Sequence, residues 1–279
     1  MEAAKLNIHF IFIELIAFWE GRINASQVSQ YFSLSRQQAS KYIKSYRANY
    51  PHNLVYNANL KGFETSPLFI KQQISADVCE YLNWLDTQNI KSKNNDFKAH
   101  THTALSIPDR QVSPFVMRSL ITAMRKGMRA DVDYISLTHA SKEGRVIQPV
   151  IFVKTGLRWH LRAFDEKHQQ YRDFVLSRFR GEPELLGKTH QQKVPDHSWE
   201  TKIDLVFKPD SRLSDNQKTV VEQDYQMQNG RLVINTRAAL AQYVLQEMQV
   251  NIKQPDKNPT AQQLVLTNKH DIKQWLFDA

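Results

Sequence analysis

The chain has 279 residues, 41% of them apolar and 23% charged, with a formal net charge of +9 and one cysteine, Cys79. These proportions suit a globular protein of two or three domains, exclude an intrachain disulfide and point to a polyanionic partner. The most apolar stretch, Ile8 to Trp19, is too short to cross a bilayer, carries Glu14 and follows no basic leader, so a cytoplasmic protein without a membrane partner is expected.

From about Asn7 to Trp19 there is no Gly or Pro and the residues are apolar almost all round, which predicts a buried first helix closed by Gly21. Asn24 reads as the N-cap of a second helix through Ala25, Val28, Tyr31 and Phe32. After a short turn at Ser33 to Ser35, Ser35 and Gln38 form a capping box that opens a third helix. There Ala39, Tyr42, Ile43 and Tyr46 recur at helical spacing and are expected to face the core. The opposite side carries Gln37, Ser40, Lys41 and Lys44, with Arg36 at its edge. Two short helices joined by a tight turn, the second polar and basic outside, fit a DNA-reading helix-turn-helix; lysines that merely face water give the same pattern. Pro51 stops the helix, and Leu54 to Tyr56 with Phe63 to Thr65, around Asn59-Leu-Lys61-Gly62, predict a hairpin wing with Lys61 in its turn.

Ser75 to Asn89 reads as an amphipathic helix with Val78, Tyr81, Leu82 and Leu85 on one stripe and Cys79 buried among them. Lys91 to Asp96 is a polar linker, and Ser113-Pro114 fits the N-cap and first position of a helix that reaches Met124 and stops near Gly127. Strands follow: Tyr134 to His139, a turn at Lys142 to Gly144, Arg145 to Val153, then a hairpin from Leu157 to Arg180 around the polar turn Asp165 to Gln170. Alternation puts Arg158, His160, Arg162 and Phe164 on one face of the hairpin and Trp159, Leu161 and Ala163 on the core face. The return strand adds Arg172 and Arg178 among Tyr171, Phe174 and Phe179. Guanidinium groups beside aromatic rings suit a nucleotide or a nucleic-acid strand. Tyr134, Ser136, Arg145, His160, Arg162, Arg172 and Arg178 are the expected ligand set.

Beyond Ser198, strands at Lys202 to Phe207, Gly230 to Asn235 and Gln263 to Leu266 alternate with helices at Asp215 to Tyr225, Ala238 to Met248 and Ile272 to Phe277, a compact layer of ferredoxin-like type. His100 and His102 have no ligand-spaced Cys or carboxylate, and no Gly-rich phosphate loop, Gly-x-Ser-x-Gly or HExxH occurs. No metal, no cofactor and no enzymatic activity are expected.

Arg145-Val-Ile-Gln-Pro149, Trp159-His160-Leu161 and Arg172-Asp-Phe-Val-Leu-Ser-Arg178 together resemble the WYL domain, with His in the Tyr position of the triplet. With a helix-turn-helix at the other end, the whole chain resembles the BrxR and CapW group of transcriptional repressors that accompany bacterial anti-phage systems. The resemblance implies an α+β multidomain protein. It would hold a winged helix-turn-helix and trailing helix over 1–95, a helical connector over 96–130, an Sm-like β-barrel (the WYL sensor) over 131–195 and a ferredoxin-like C-terminal extension over 196–279 suited to dimerisation. It further implies a homodimeric repressor on an inverted-repeat operator of double-stranded DNA, with Arg36, Gln37, Ser40, Lys41, Lys44 and Lys61 against the DNA and release by a nucleotide or nucleic-acid effector at the WYL domain. An RNA- or single-strand-binding protein with the barrel as primary site remains open, and a nuclease comes third for want of a catalytic constellation.

Overall fold

Asn7 opens α1 (Ile8–Glu20) by accepting the His9 N–H at 3.0 Å, and Gly21, at φ 75°, closes it. The computed structural model describes residues 7–91, 110–137, 143–156, 158–188 and 194–276, and the chain divides into two units, Met1–Ile107 and Pro108–Ala279. The linker residues 92–96 and both His100 and His102 lie outside the described residues.

In the first unit β1 (Arg22–Ile23) leads to α2 (Ala25–Phe32), capped reciprocally by Asn24 and Gln27. The predicted Ser35–Gln38 box opens α3 (Arg36–Asn49), whose inward side is Ala39, Ile43 and Tyr46. Tyr42 is only partly buried and stacks on the His9 ring at 3.7 Å. The wing, β2 (Leu54–Asn57) and β3 (Gly62–Thr65), gains a third strand that no periodicity announced, because β1 is two residues long; the sheet order is β1-β3-β2, antiparallel. A side chain at 62 would be crowded, since a Cβ there would sit 3.1 Å from the Ile23 carbonyl.

The stripe expected on α4 (Val78–Lys91) is rotated. Trp84 packs on Phe12 and Tyr31 and Tyr81 stacks toward Trp19, so the large rings turn inward while Val78, Leu82 and Cys79 are exposed. The thiol predicted to be buried therefore faces solvent.

Glu14, in the middle of apolar α1, is fully buried and ties three segments together. One carboxylate oxygen accepts the Tyr46 hydroxyl of α3 at 2.8 Å; the other accepts the backbone N–H groups of Gln72 (2.6 Å), Gln73 (2.8 Å) and Ile74 (3.4 Å) in the segment after the wing. Asn53 donates to the Tyr46 oxygen (2.9 Å) and exchanges bonds with the Ile70 backbone. Burial, and behind it the Glu14 charge, pushes the Tyr46 phenol well above its ordinary range, so it remains a donor.

In the second unit α5 (Pro114–Lys126) starts at Ser113 and ends at Gly127, as expected. It lays Val116, Leu120 and Ala123 on a five-stranded antiparallel sheet of β4 (Met128–Tyr134), β5 (Glu143–Thr155), β6 (Arg158–Asp165), β7 (Gln170–Val175) and β8 (Phe179–Lys188). The first strand lies earlier than predicted, because Ala130, Val132 and Tyr134 alternate inward among charged neighbours; residues 138–142 of the expected strand and turn are outside the described residues. The return strand is broken by a 3₁₀ turn at Leu176–Arg178, after which β8 crosses to pair with β4. Strand order is β7-β6-β5-β4-β8, and among the described residues no ladder joins β7 to β8, so the sheet is not the closed barrel that was expected.

Beyond α6 (His197–Glu200), β9 (Lys202–Pro209), α7 (Asp215–Asp224), β10 (Leu232–Arg237), α8 (Ala241–Glu247), β11 (Leu264–Leu266) and α9 (Lys269–Ile272) form a layer with its own core around Leu205, Phe207 and Leu245. Its sheet has three described strands in the order β10-β9-β11, all antiparallel neighbours, which does not establish the four-stranded ferredoxin-like arrangement. The final helix comes earlier than predicted, ending in a 3₁₀ turn at Lys273–Trp275.

Removing the Glu14 carboxylate strands the Tyr46 hydroxyl and three backbone N–H groups inside the protein. Glu14→Ala should lower the unfolding free energy of the first unit by about 3 kcal/mol or more, and Tyr46→Phe by about 1–2 kcal/mol. Urea unfolding followed by tryptophan fluorescence measures both; equal midpoints for wild type and Glu14→Ala would show that the network contributes nothing.

Candidate nucleic-acid interface and effector face

The outer side of α3 is the more open of the two candidate surfaces. Arg36, Gln37, Ser40, Lys41 and Lys44 are all exposed, and so is Lys61 at φ 47° in the turn between β2 and β3. None of the six has a side-chain partner among the described residues, whereas the neighbouring Gln38 is held by the Ser35 cap. The adjacent glutamines are thus told apart: Gln37 is available to a ligand and Gln38 is structural. Asn57 shapes the wing turn by accepting the N–H groups of Asn59 and Leu60, and Arg47, at the end of α3, covers the Phe63 ring of the wing at 4.8 Å. Helix and wing are therefore one rigid piece with a cationic, hydrogen-bonding outer side.

The expected ligand face on β6 is different in kind. Arg162 is 4% exposed and surrounded by acceptors. Its Nε and Nη2 clasp Asp196 at 2.6 and 2.7 Å, its Nη1 donates to Asp173 at 2.9 Å, and Nη2 also donates to Ser198 at 2.7 Å. The Tyr171 and Trp199 rings flank it at 5.9 and 5.7 Å. Burial works against the Arg162 charge, but the two carboxylates outweigh it and raise the guanidinium pKa. Burial likewise works to raise Asp196, and the Arg162 bonds overcome it, holding Asp196 below the usual carboxylate range. Asp173 also accepts the Tyr243 hydroxyl of α8 at 3.1 Å. Arg162 is a joint between β6, β7, α6 and, through Asp173, α8, with four of its five N–H donors already given to Asp173, Asp196 and Ser198.

His160 is also buried, within 2.9 Å of Thr155 Oγ1 and beside the Tyr243 ring at 5.1 Å. Burial lowers its pKa; Asp173 opposes this, while Arg158 and Arg178 add to it. Arg172 does not join this pair. It stands opposite Ala163, so it shares the face of Ala163 rather than that of Arg162, and the residue opposite Arg162 is Asp173. Tyr134 is core and accepts the Val175 N–H at 3.0 Å; Arg145 is buried over the Tyr134 ring, 3.4 Å from Asp165; Ser136 is half-buried just past β4. Trp159, expected in the core, is 52% exposed because the strand runs past the edge of the core that buries Leu161 and Ala163.

Of the predicted set, Arg178 alone is a half-buried cation with no side-chain partner among the described residues, and Arg158, expected on this face but not in the ligand set, is a second. Asp173, Asp196, Trp199 and Tyr243 were missed, since nothing local in the sequence links strand residues to partners 11 to 70 positions away. Among the described residues no three His, Cys, Asp or Glu side chains converge as a metal site, and no helix is long and apolar enough to cross a membrane.

Comparison with known families supplies three matches. Residues 5–87 match the winged helix-turn-helix domain of the BrxR transcriptional regulator, residues 116–181 the WYL domain, and residues 202–272 the C-terminal dimerization domain of the BrxR transcriptional regulator. The DNA-binding transcriptional repressor CapW of Pseudomonas aeruginosa is 28% identical over 266 residues, 94% of this chain and 89% of that protein. CapW of Escherichia coli is 29% identical over 265 residues (94% and 88%), and CapW of Stenotrophomonas maltophilia 27% over 270 (95% and 90%).

Arg162→Ala leaves Asp173 and Asp196 without their counter-ion, so it should lower stability by about 3–5 kcal/mol, while Arg178→Ala should stay within about 0.5 kcal/mol. Urea midpoints of the two variants decide the point; an undamaged Arg162→Ala would return Arg162 to the candidate ligand set. His160 also predicts a pH effect. Its folded pKa is depressed, so as pH falls below about 6.5 the unfolded chain takes up the proton first and stability is lost. Between pH 7.5 and pH 5.5 the wild type should lose more stability than His160→Gln; identical losses would mean that the imidazole titrates alike folded and unfolded.

Proposed function

We propose that this chain, a WYL-domain regulator of the BrxR and CapW type, is a homodimeric DNA-binding repressor. The observation that carries the reading is the unpaired outer side of α3, with Arg36, Gln37, Ser40, Lys41 and Lys44, set rigidly beside the Lys61 wing in a domain of winged helix-turn-helix type. A helix of this form enters the major groove. Arg36 and Gln37 offer two-toothed hydrogen bonding to guanine and adenine edges, and the lysines hold phosphates. One reading helix per chain is a small reader, so two related by a dyad on an inverted repeat supply the affinity, with half-sites roughly 34 Å apart or a multiple of it.

The regulated genes belong to an anti-phage operon, on the strength of the sequence resemblance alone. An anionic effector, a nucleotide or short nucleic acid, releases the DNA by binding the DNA-free conformation better, with about 1–3 kcal/mol of coupling. Its site on the five-stranded sheet of the WYL domain is built on Arg178 and Arg158 beside His160, with Arg172 on the other face and Arg162, Arg145 and Tyr134 as framework. The charge of these two arginines is not neutralised by any described side chain, which is what an anion site requires.

Binding to an inverted-repeat duplex from beside the gene, to random duplex and to single-stranded RNA tests the whole reading; preference for the RNA would favour the barrel as primary nucleic-acid site. Gln37→Ala should relax base choice at one position by about 1–3 kcal/mol. Lys44→Ala should weaken all duplexes alike and reduce the salt slope by about one unit. A footprint over one asymmetric half-site by a monomer would overturn the dimeric form. Arg178→Ala should keep operator affinity and lose the response to added nucleotides or oligonucleotides.

A further inference from the structure

We propose that β10 (Leu232–Arg237) is the dimer contact. In this arrangement it pairs antiparallel with β10 of a second copy about a two-fold axis at Asn235, so that two three-stranded sheets become one of six strands. The inference rests on the homodimeric reading and deepens it by naming the surface.

The first observation is the edge itself. Strand order β10-β9-β11 leaves β10 bonded to β9 along six residues and without a ladder partner on its other side among the described residues. Proteins normally guard such an edge with charge, proline, a bulge or brevity. β11, at the opposite edge, is three residues long. β10 carries Leu-Val-Ile-Asn-Thr before its first charge at Arg237, has no proline and keeps an unbroken register with β9. Val233, on the sheet face away from the helices, is 54% exposed and stands opposite the half-buried Val206.

The second observation is where the edge lies. It sits inside residues 202–272, which match a C-terminal dimerization domain. An isologous contact requires a surface that complements itself, and an antiparallel strand pair across a dyad satisfies that by construction.

The register follows from the neighbours. Centring on Val233 would carry the ladder into Asn229 and Gly230, whose φ values of 52° and 68° belong to a turn. Centring on Ile234 would set Arg231 against Arg237 of the second copy, two like charges face to face. Centring on Asn235 avoids both and sets Val233 against Arg237 and Ile234 against Thr236. A hollow of about 640 Å³ beside the start of β10, lined by Gln226, Gln228, Asn229, Arg231, Leu232 and Val233, leaves room for the second copy's chain as it leaves its own β10.

The test uses the full chain with its exposed Cys79 changed to Ser. Asn235→Cys in that background brings two thiols together across the axis, with Cβ atoms about 5 Å apart, so mild oxidation should convert the protein to a disulfide-linked dimer. Asn216→Cys on the exposed face of α7 should not cross-link. Asn235→Lys places two ammonium groups face to face and should raise the dimer dissociation constant about tenfold or more, with an unchanged circular dichroism spectrum. Molar mass from light scattering separates the two possible failures. A monomeric wild type would overturn the homodimer itself. A dimeric wild type in which Asn235→Cys stays unlinked and Asn235→Lys dimerises normally would overturn only the β10 contact.

Discussion

The first unit of this protein hangs on one buried carboxylate. Glu14 sits in a helix that is otherwise apolar, and water is excluded from it completely. It is tolerable there because each of its oxygens is matched: one by the Tyr46 hydroxyl, the other by a run of backbone N–H groups at Gln72 to Ile74. That arrangement joins the first helix to the inner side of α3 and to the chain beyond the wing. The outer side of α3 can therefore carry unpaired Arg, Gln and Lys side chains without losing its position, since the anchoring is done on the opposite face.

A second polar hub does comparable work in the WYL and C-terminal parts of the chain. Arg162 is an arginine on a strand, which in sequence looks like Arg158 or Arg178. The difference lies in what surrounds it: two carboxylates, a serine and two rings have closed over it, and one of those carboxylates also holds Tyr243 of α8. The sheet and the C-terminal layer are thereby hydrogen-bonded to each other at a buried point. Gly156 belongs to the same seam, because at φ 50° a larger residue would be strained and its Cβ would have to displace the Glu247 carboxylate.

The contrast between the two surfaces sorts charge by partnership. Buried charges with matched partners, such as Glu14, Arg162 and Asp165, hold the fold. Exposed or half-buried cations with no side-chain partner among the described residues, such as Arg178 and Lys44, take no part in that framework.

Local pattern in the sequence was enough to determine the helix-turn-helix, its Asn24 cap and Ser35 capping box, the wing hairpin, α5 and the alternating elements of the C-terminal layer. Caps, turns and periodicity act within a few residues, so they are written where they act. The composition of the α3 face was legible for the same reason, since side chains three and four apart on a helix share a side whatever the rest of the chain does. What the tertiary structure alone decided involves partners far away in sequence. Asp173, Asp196 and Tyr243 turn Arg162 from a ligand group into a joint, and the pairing of Ala163 with Arg172 moves that arginine to the other face. Trp84 and Tyr81 rotate α4 and leave Cys79 outside, and the two-residue β1 exists only because β3 offers it a ladder. An isolated arginine, a tyrosine or a pair of strand residues carries no record of what it will meet, because that is set by how elements pack rather than by how residues repeat.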